Sequence, residues 1–434
     1  MVSLNQTLKH AASGRGKSLE PPYKSVEFKY GVLILRTKKF QSLMDRLGRY
    51  RITGPFAWLM LYIMPVAAAF ALFLEFVNLS VIFSPQGAAL VQYIRSLTPT
   101  VNLLIPGINP YVPIIYGWLA LIVALVVHEG AHGVVARSLG MPVKSAGLLF
   151  LLILPIGAFV EVDDKVLKVA RARDSTRVLA AGAGINFVLA ILSVALLFNI
   201  VSTMTPASNG VGVFSVYQNS TSLYSPADVA GIKPGDFILS MNNVPIDSAL
   251  NDSSLYRPGN RVSLTIWRGG ETLVKTIVLG KLTYIDLRTN QTFTRGFIGF
   301  QPISTSTLRR LVGTYLGDFT KTGRPYVCIP TLPRCQDYAP FSDQYIGFYA
   351  SPFGGALPLV LNLLFWMYFI NFNLAIFNSL PIYPLDGGQA FDATLKALGK
   401  GRLKETTLSR ITTVISVVLV SMIALLILGP YLIF

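Results

Sequence analysis

The chain has 434 residues, of which 52% are hydrophobic and only 13% charged, where soluble domains carry about a quarter. An ordinary water-soluble globule is therefore excluded, and the bilayer is the expected solvent. The formal net charge of +16 does not point to nucleic acid, because Lys and Arg gather in segments between apolar runs, as membrane topology requires. Residues 1–51 form a basic N-terminal segment: the first twenty read as a flexible tail, Gly31–Arg36 as a strand, and Lys38–Arg51 as a basic amphipathic turn or helix on the membrane surface.

Five stretches then lack charge, between Arg51 and Glu75, Arg95 and His128, Arg177 and Asp228, Asp343 and Asp386, and after Arg410. Each holds about 20 apolar residues, enough to cross the hydrocarbon core, and predicts spans at 55–82, 111–137, 178–202, 356–380 and 410–433. The first begins too far into the chain to read as a cleavable signal peptide. Segments 1–51, 139–177 and 386–410 are basic, whereas the loop 84–110 has Arg95 alone. That asymmetry places the basic segments in the cytosol and residues 203–355 outside. Sequons at Asn78, Asn219, Asn251 and Asn290 fall outside on this topology, and the one at Asn5 does not.

Within the first membrane part, 52–202, residues 145–160 are apolar but short, and they contain Pro155 and Gly157. They suit a re-entrant β hairpin lining a cavity, or a plain buried strand. Residues 208–285 change character to alternating apolar and polar positions with Gly and Pro turns, the pattern of a small β-rich domain. The run from Ser225 to Ile246 (SPADVAGIKPGDFILSMNNVPI) resembles a PDZ domain, which implies a receptor for a peptide or C-terminus that adds a strand to a sheet edge; a purely structural role is the alternative. Residues 286–355 form an extension with Cys328 and Cys335, read as a loop-closing disulfide in an oxidising space, with two free thiols as the alternative. Residues 356–434 complete the membrane core.

Chemistry concentrates at His128-Glu129-Gly130-Ala131-His132, at the cytosolic end of a predicted helix. With 3.6 residues per turn, both imidazoles lie on one face and can share one Zn²⁺, with Glu129 in reach of water beside it. Two of the three histidines of the chain are in this motif, and an ionisable Glu at membrane depth is costly unless it has a partner or a task. A catalytic zinc site normally takes three protein ligands. His10 lies in the tail, whereas Asp386 lies in Asn378-Ser-Leu-Pro-Ile-Tyr-Pro-Leu-Asp-Gly-Gly-Gln389, where two prolines and a glycine pair break the helix at the same cytosolic depth. An N-cap for a helix at 389–398 is the other reading of Asp386.

Together these elements resemble the site-2 protease family of intramembrane zinc metalloproteases, which pairs HExxH with a distant LDG motif. The resemblance implies that His128, His132 and Asp386 hold one zinc ion and that Glu129 is the catalytic base. It extends to residues 155–164 (PIGAFVEVDD) and to residues 181–187 (AGAGINF), which contain Asn186. Asn378, in N-x-x-P before LDG, matches a position near the substrate, and Asn378 or Asn186 is a candidate to hold the oxyanion. Ala183 departs from a frequent proline, and residues 301–350 have no counterpart. The expected fold is a polytopic α-helical membrane protein of five to six spans with a membrane-associated β hairpin and an extracytosolic PDZ-like β domain. The expected function is regulated cleavage of transmembrane protein substrates from an integral position in the plasma membrane, in contact with lipid and not nucleic acid, with the active site near the cytosolic side. A catalytically inactive zinc-binding scaffold that recruits partners through the PDZ-like domain is the rival reading, and a metal or solute transporter a third; Glu129 and the lack of internal symmetry weigh against them.

Overall fold

A computed structural model of the protein describes residues 25–432 except 30, 152–153, 221–223, 253, 287–289, 324–342 and 400–401. Cys328, Cys335 and His10 lie outside the described residues. Among the described residues, five helices are long and apolar enough to cross a membrane. After the short helix α1 (Gln41–Gly48) come α2 (Thr53–Ile82), α3 (Ile114–Ser138) and α4 (Ala172–Ser202). Beyond a β domain follow α5 (Thr305–Gly317), α6 (Leu357–Ser379), α7 (Asp386–Gly399) and α8 (Glu405–Leu432), of which α6 and α8 are the remaining candidate spans.

Helix α2 shows how such a sequence divides its surface. Ala57, Met60, Met64, Ala67 and Ala71 recur every three or four residues and are buried, whereas Leu59, Tyr62, Val66, Phe73 and Phe76 are exposed. A stripe against the bundle and a large apolar remainder facing outward is the division expected of a helix bathed in lipid. Helix α4 is the central post, buried almost without a break from Asp174 to Gly184. Its run Ala180-Ala-Gly-Ala-Gly184 lets neighbours approach closely: a Cβ on Gly184 would run into Met60 of α2.

The segments around α3 build a four-stranded antiparallel sheet in the order β1 (Val26–Lys29), β2 (Val32–Thr37), β3 (Val143–Leu151), β4 (Leu154–Val162). Residues 145–160 thus form the β3–β4 hairpin, and the N-terminal strands extend it through the pairing of β2 with β3. Strand β4 is the edge next to α3, where Val160 packs with Ala131 and Val134 around Met44 of α1.

Between α4 and α5 the chain makes a second sheet. After β5 (Thr205–Pro206) come β6 (Val211–Val216), β7 (Phe237–Met241), β8 (Val244–Pro245), β9 (Arg261–Arg268) and β10 (Glu271–Val278). A separate hairpin, β11 (Gly280–Asp286) with β12 (Gln291–Phe297), precedes β13 (Phe300–Ser304). The sheet order is β10-β9-β7-β6-β13, so it draws its last strand from beyond residue 285. Alternate residues of β9, Val262, Leu264 and Ile266, face its core with Val213, Ile238 and Met241. On the other side Phe237 meets Phe348, in the same apolar cluster as Leu197 of α4 and Trp366 of α6, which seats the domain on the helices.

Candidate metal centre

His128 and His132 lie one turn apart on α3, both buried, with ring centroids 4.9 Å apart and planes at 81°. Each ring is held from behind. His132 Nδ1 lies 2.7 Å from the Val178 carbonyl oxygen, which can only accept, so the proton sits on Nδ1 and Nε2 keeps its lone pair. His128 Nδ1 lies 3.2 Å from the Asn186 amide, whose Oδ1 is buried without a partner. Turning that amide over lets Oδ1 accept the Nδ1 proton, since amide oxygen and nitrogen are assigned from the hydrogen-bond network. Both Nε2 atoms then face one carboxylate: Asp386 Oδ2 is 3.0 Å from His128 Nε2 and 3.3 Å from His132 Nε2. Oδ2 is buried and makes no well-directed hydrogen bond to either. Three lone-pair-bearing atoms converging without a proton between them are the donor set of a cation site.

The space between the imidazoles is kept open by a glycine. A Cβ built on Gly182 would stand 2.6 Å from His128 Nε2 and closer still to His132 Nε2, in the place an ion would occupy. With Glu129, the histidine donor atoms also form a group lying within 4.8 Å of one another. Two imidazoles and one carboxylate are a common three-ligand set for catalytic zinc, with a fourth position left open. The residues present fit the metal.

Asp386 reaches this point because of the turn before it. Leu385 N–H donates to Ile382 O (2.8 Å), and Tyr383 N–H to Ser416 Oγ of α8 (2.9 Å). The turn folds back so tightly that a Cβ on Gly387 would strike the Ser379 and Leu380 carbonyls, and one on Gly388 the backbone of Ile382. Asp386 is the first residue of α7, where an anion is favoured by the exposed amides.

Glu129 lies beside the two imidazoles, and its Oε2 accepts a 3.0 Å hydrogen bond from the Val160 amide of β4. Both residues border an apolar cavity of about 640 Å³, which runs between α1, α3 and the sheet past Phe40, Met44, Phe56 and Phe159. Asn378 is placed differently: its Nδ2 donates to Leu374 O of its own helix (3.1 Å), and it lines a second cavity of about 280 Å³ beside Leu385.

The sequence model of peptidase family M50 matches residues 116–332 and 343–423, which takes in both motifs and most of the chain. This chain belongs to peptidase family M50, the site-2 protease family. Its relatives agree. A protein of Methanocaldococcus jannaschii described as uncharacterized is 26% identical over 83% of this chain and 76% of its own length. A candidate zinc metalloprotease of Nostoc is 26% identical over 62% of this chain and 82% of its own length. The zinc metalloprotease RasP of Shouchella clausii is 26% identical over 38% of this chain and 39% of its own length. Family and relatives together indicate a zinc metalloprotease, and the five apolar helices fit an integral membrane protein.

Sequence reasoning brought Asn186 forward as an oxyanion candidate; the geometry puts it behind His128, on the ring nitrogen away from Asp386. It missed Gly182, although a glycine four residues before Asn186 on one helix face was a readable signal. It also missed Val178 and Val160, which act through backbone groups that every residue has.

Proposed function

We propose that this chain is an intramembrane zinc endopeptidase that cuts transmembrane segments of other proteins. The observation that carries the reading is the meeting of His128 Nε2, His132 Nε2 and Asp386 Oδ2 around a point that Gly182 keeps open, with Glu129 adjacent, inside a bundle of apolar helices. These three side chains would hold the ion, which when bound supplies a Lewis acid and renders water acidic near neutral pH. Val178 and Asn186 keep both Nε2 lone pairs aimed at it. Glu129 takes the proton of the attacking water on its carboxylate and passes it to the departing amide nitrogen. Asn378 is a candidate to hold the substrate beside Leu385.

A helical substrate hides its carbonyls in i to i−4 bonds and must unwind before it is cut. The outer edge of β4 supports this step, because an extended segment can pair there within reach of Glu129. Substrates with Gly, Pro or Asn near the cut are therefore favoured. The basic segments support a cytosolic N-terminus and metal side and an external β domain, where sheet edges would suit it to filter substrates by size or by a free C-terminus. The test is to incubate the purified zinc-loaded chain, Glu129→Gln and Asp386→Ala with transmembrane peptides and map cuts by mass. Cutting by wild type alone is expected; equal cutting by either variant refutes the assignment.

A further inference from the structure

The cavity beside Glu129 has walls of two origins. One belongs to α3 and the β3–β4 hairpin, and the other is built by residues 35–56, which precede the part of the chain that the family model matches. Helix α1 and its flanks lend Phe40, Leu43, Met44 and Leu47, and Tyr50, Ile52 and Phe56 continue the same wall. Of the residues lining the cavity, Arg36 and Glu129 alone carry charge, and Arg36 is paired with Glu27 and Glu161. Its volume of about 640 Å³ falls in the range of small-ligand sites, roughly 300–1,000 Å³. Phe40, Leu43, Tyr50, Ile52 and Val126 line it and are exposed, so its mouth is apolar and calls for an apolar cover.

The margin of that mouth has the opposite character. Lys38, Lys39, Arg46, Arg49 and Arg51 are exposed, and each adjoins a cavity-lining residue in sequence. The one acid among residues 38–51, Asp45, forms an ion pair with Arg137 near the end of α3. That pair fixes the basic margin at the level of Arg137, and Glu129 lies about 12 Å further along α3, at a rise of roughly 1.5 Å per residue. The hydrocarbon of one leaflet is about 15 Å deep. A lipid whose anionic head rests on these cations therefore has a tail long enough to reach the carboxylate. An apolar interior under a cationic rim on an amphipathic helix is the complement of such a molecule.

We infer that this cavity is a binding site for one anionic membrane lipid, its head on the basic margin of α1 and one tail in the space beside Glu129. The inference goes beyond the endopeptidase reading and gives it a regulator. The tail fills the space that a segment adding to β4 must enter, so lipid and substrate exclude each other.

The test locates the lipid directly and needs neither metal nor turnover. The full chain, stripped with EDTA, is placed in phosphatidylcholine nanodiscs. These hold a trace of phosphatidylglycerol or phosphatidylcholine with a photoreactive diazirine at the tail end, and adducts are mapped by mass. Adducts on Phe56, Val126 and Phe159 are expected, with phosphatidylglycerol at least about tenfold above phosphatidylcholine, since each cation near the head is worth about fivefold. Combining Lys39→Gln, Arg46→Gln and Arg49→Gln, all at exposed positions, should abolish most of that preference. Ala158→Phe puts a ring into the cavity from β4 and should remove the adducts there, while leaving those on exposed Val414 and Val417 of α8. An unlabelled Leu/Val peptide of roughly 20 residues with a central Asn-Gly-Pro break, sized to a membrane span, should lower the cavity adducts in the same selective way. Adducts spread evenly over the lipid-facing helices, equal yields from the two lipids, or cavity adducts unmoved by either Ala158→Phe or the peptide would overturn the inference. Should zinc-loaded wild type cut no peptide while the adduct pattern holds, the endopeptidase reading falls and the lipid site stands.

Discussion

Gly182→Ala adds one methyl group at the place the metal needs. Its Cβ would lie 2.6 Å from His128 Nε2, whereas ordinary contact begins near 3.4 Å, so that ring must retreat by about 0.8 Å, and His132 must move further. Ligand distances to zinc tolerate only about 0.2 Å, so chelation by both imidazoles is lost rather than weakened slightly. A fall in zinc affinity of about 100-fold or more follows, at or beyond the upper end of what disturbing an outer-shell partner causes. The added methyl also overpacks a buried helix, at about 1–3 kcal/mol. Gly184→Ala separates these effects: its Cβ meets the flexible Met60 side chain and not an imidazole, so it should cost stability while leaving the metal in place. Zinc competition with a fluorescent chelator, beside thermal unfolding of the stripped proteins, reads both quantities. Wild-type zinc affinity in Gly182→Ala would refute the placement of the metal between the rings.

Glu129→Gln should keep its zinc and lose cleavage by about 10²–10⁴-fold, as removal of a general base does; metal analysis of the inactive protein checks the first part. Asn186→Ala should weaken zinc by about 10–100-fold, whereas Asn378→Ala should leave zinc affinity unchanged and act on cleavage alone, which a paired zinc titration and cleavage assay will distinguish. In the β domain, Arg268 donates to Asp236 at 2.6 and 2.7 Å, and the carboxylate also accepts from Lys233 N–H at 2.8 Å. Asp236→Ala should destabilise that domain by about 2 kcal/mol, since Asp236 is buried but Arg268 is partly solvated, as read by its unfolding transition. Deleting residues 208–304, a span that takes β13 out with its partner β6, should leave the metal centre intact and broaden the set of peptides cut; unchanged selectivity would assign the domain a structural role.

The sequence by itself determined whatever depends on near neighbours or on composition. Uncharged runs long enough for a bilayer became α2, α3, α4, α6 and α8 within a few residues of the expected bounds, except that α4 and α8 begin several residues early, because a backbone in lipid has little choice but a helix. The His128, Glu129 and His132 grouping follows from the pitch of one helix and needed no other part of the chain. Alternation likewise marked the strands of the β domain, but not that Phe300–Ser304 pairs beside β6, since strand partners carry no local label. Tertiary structure alone decided that Asp386, far along the chain, faces both imidazoles; the Pro and Gly residues announced a break in the helix but not its direction. It alone also chose Val178 C=O and Val160 N–H from hundreds of identical backbone groups, because such groups gain a role only from what packs against them.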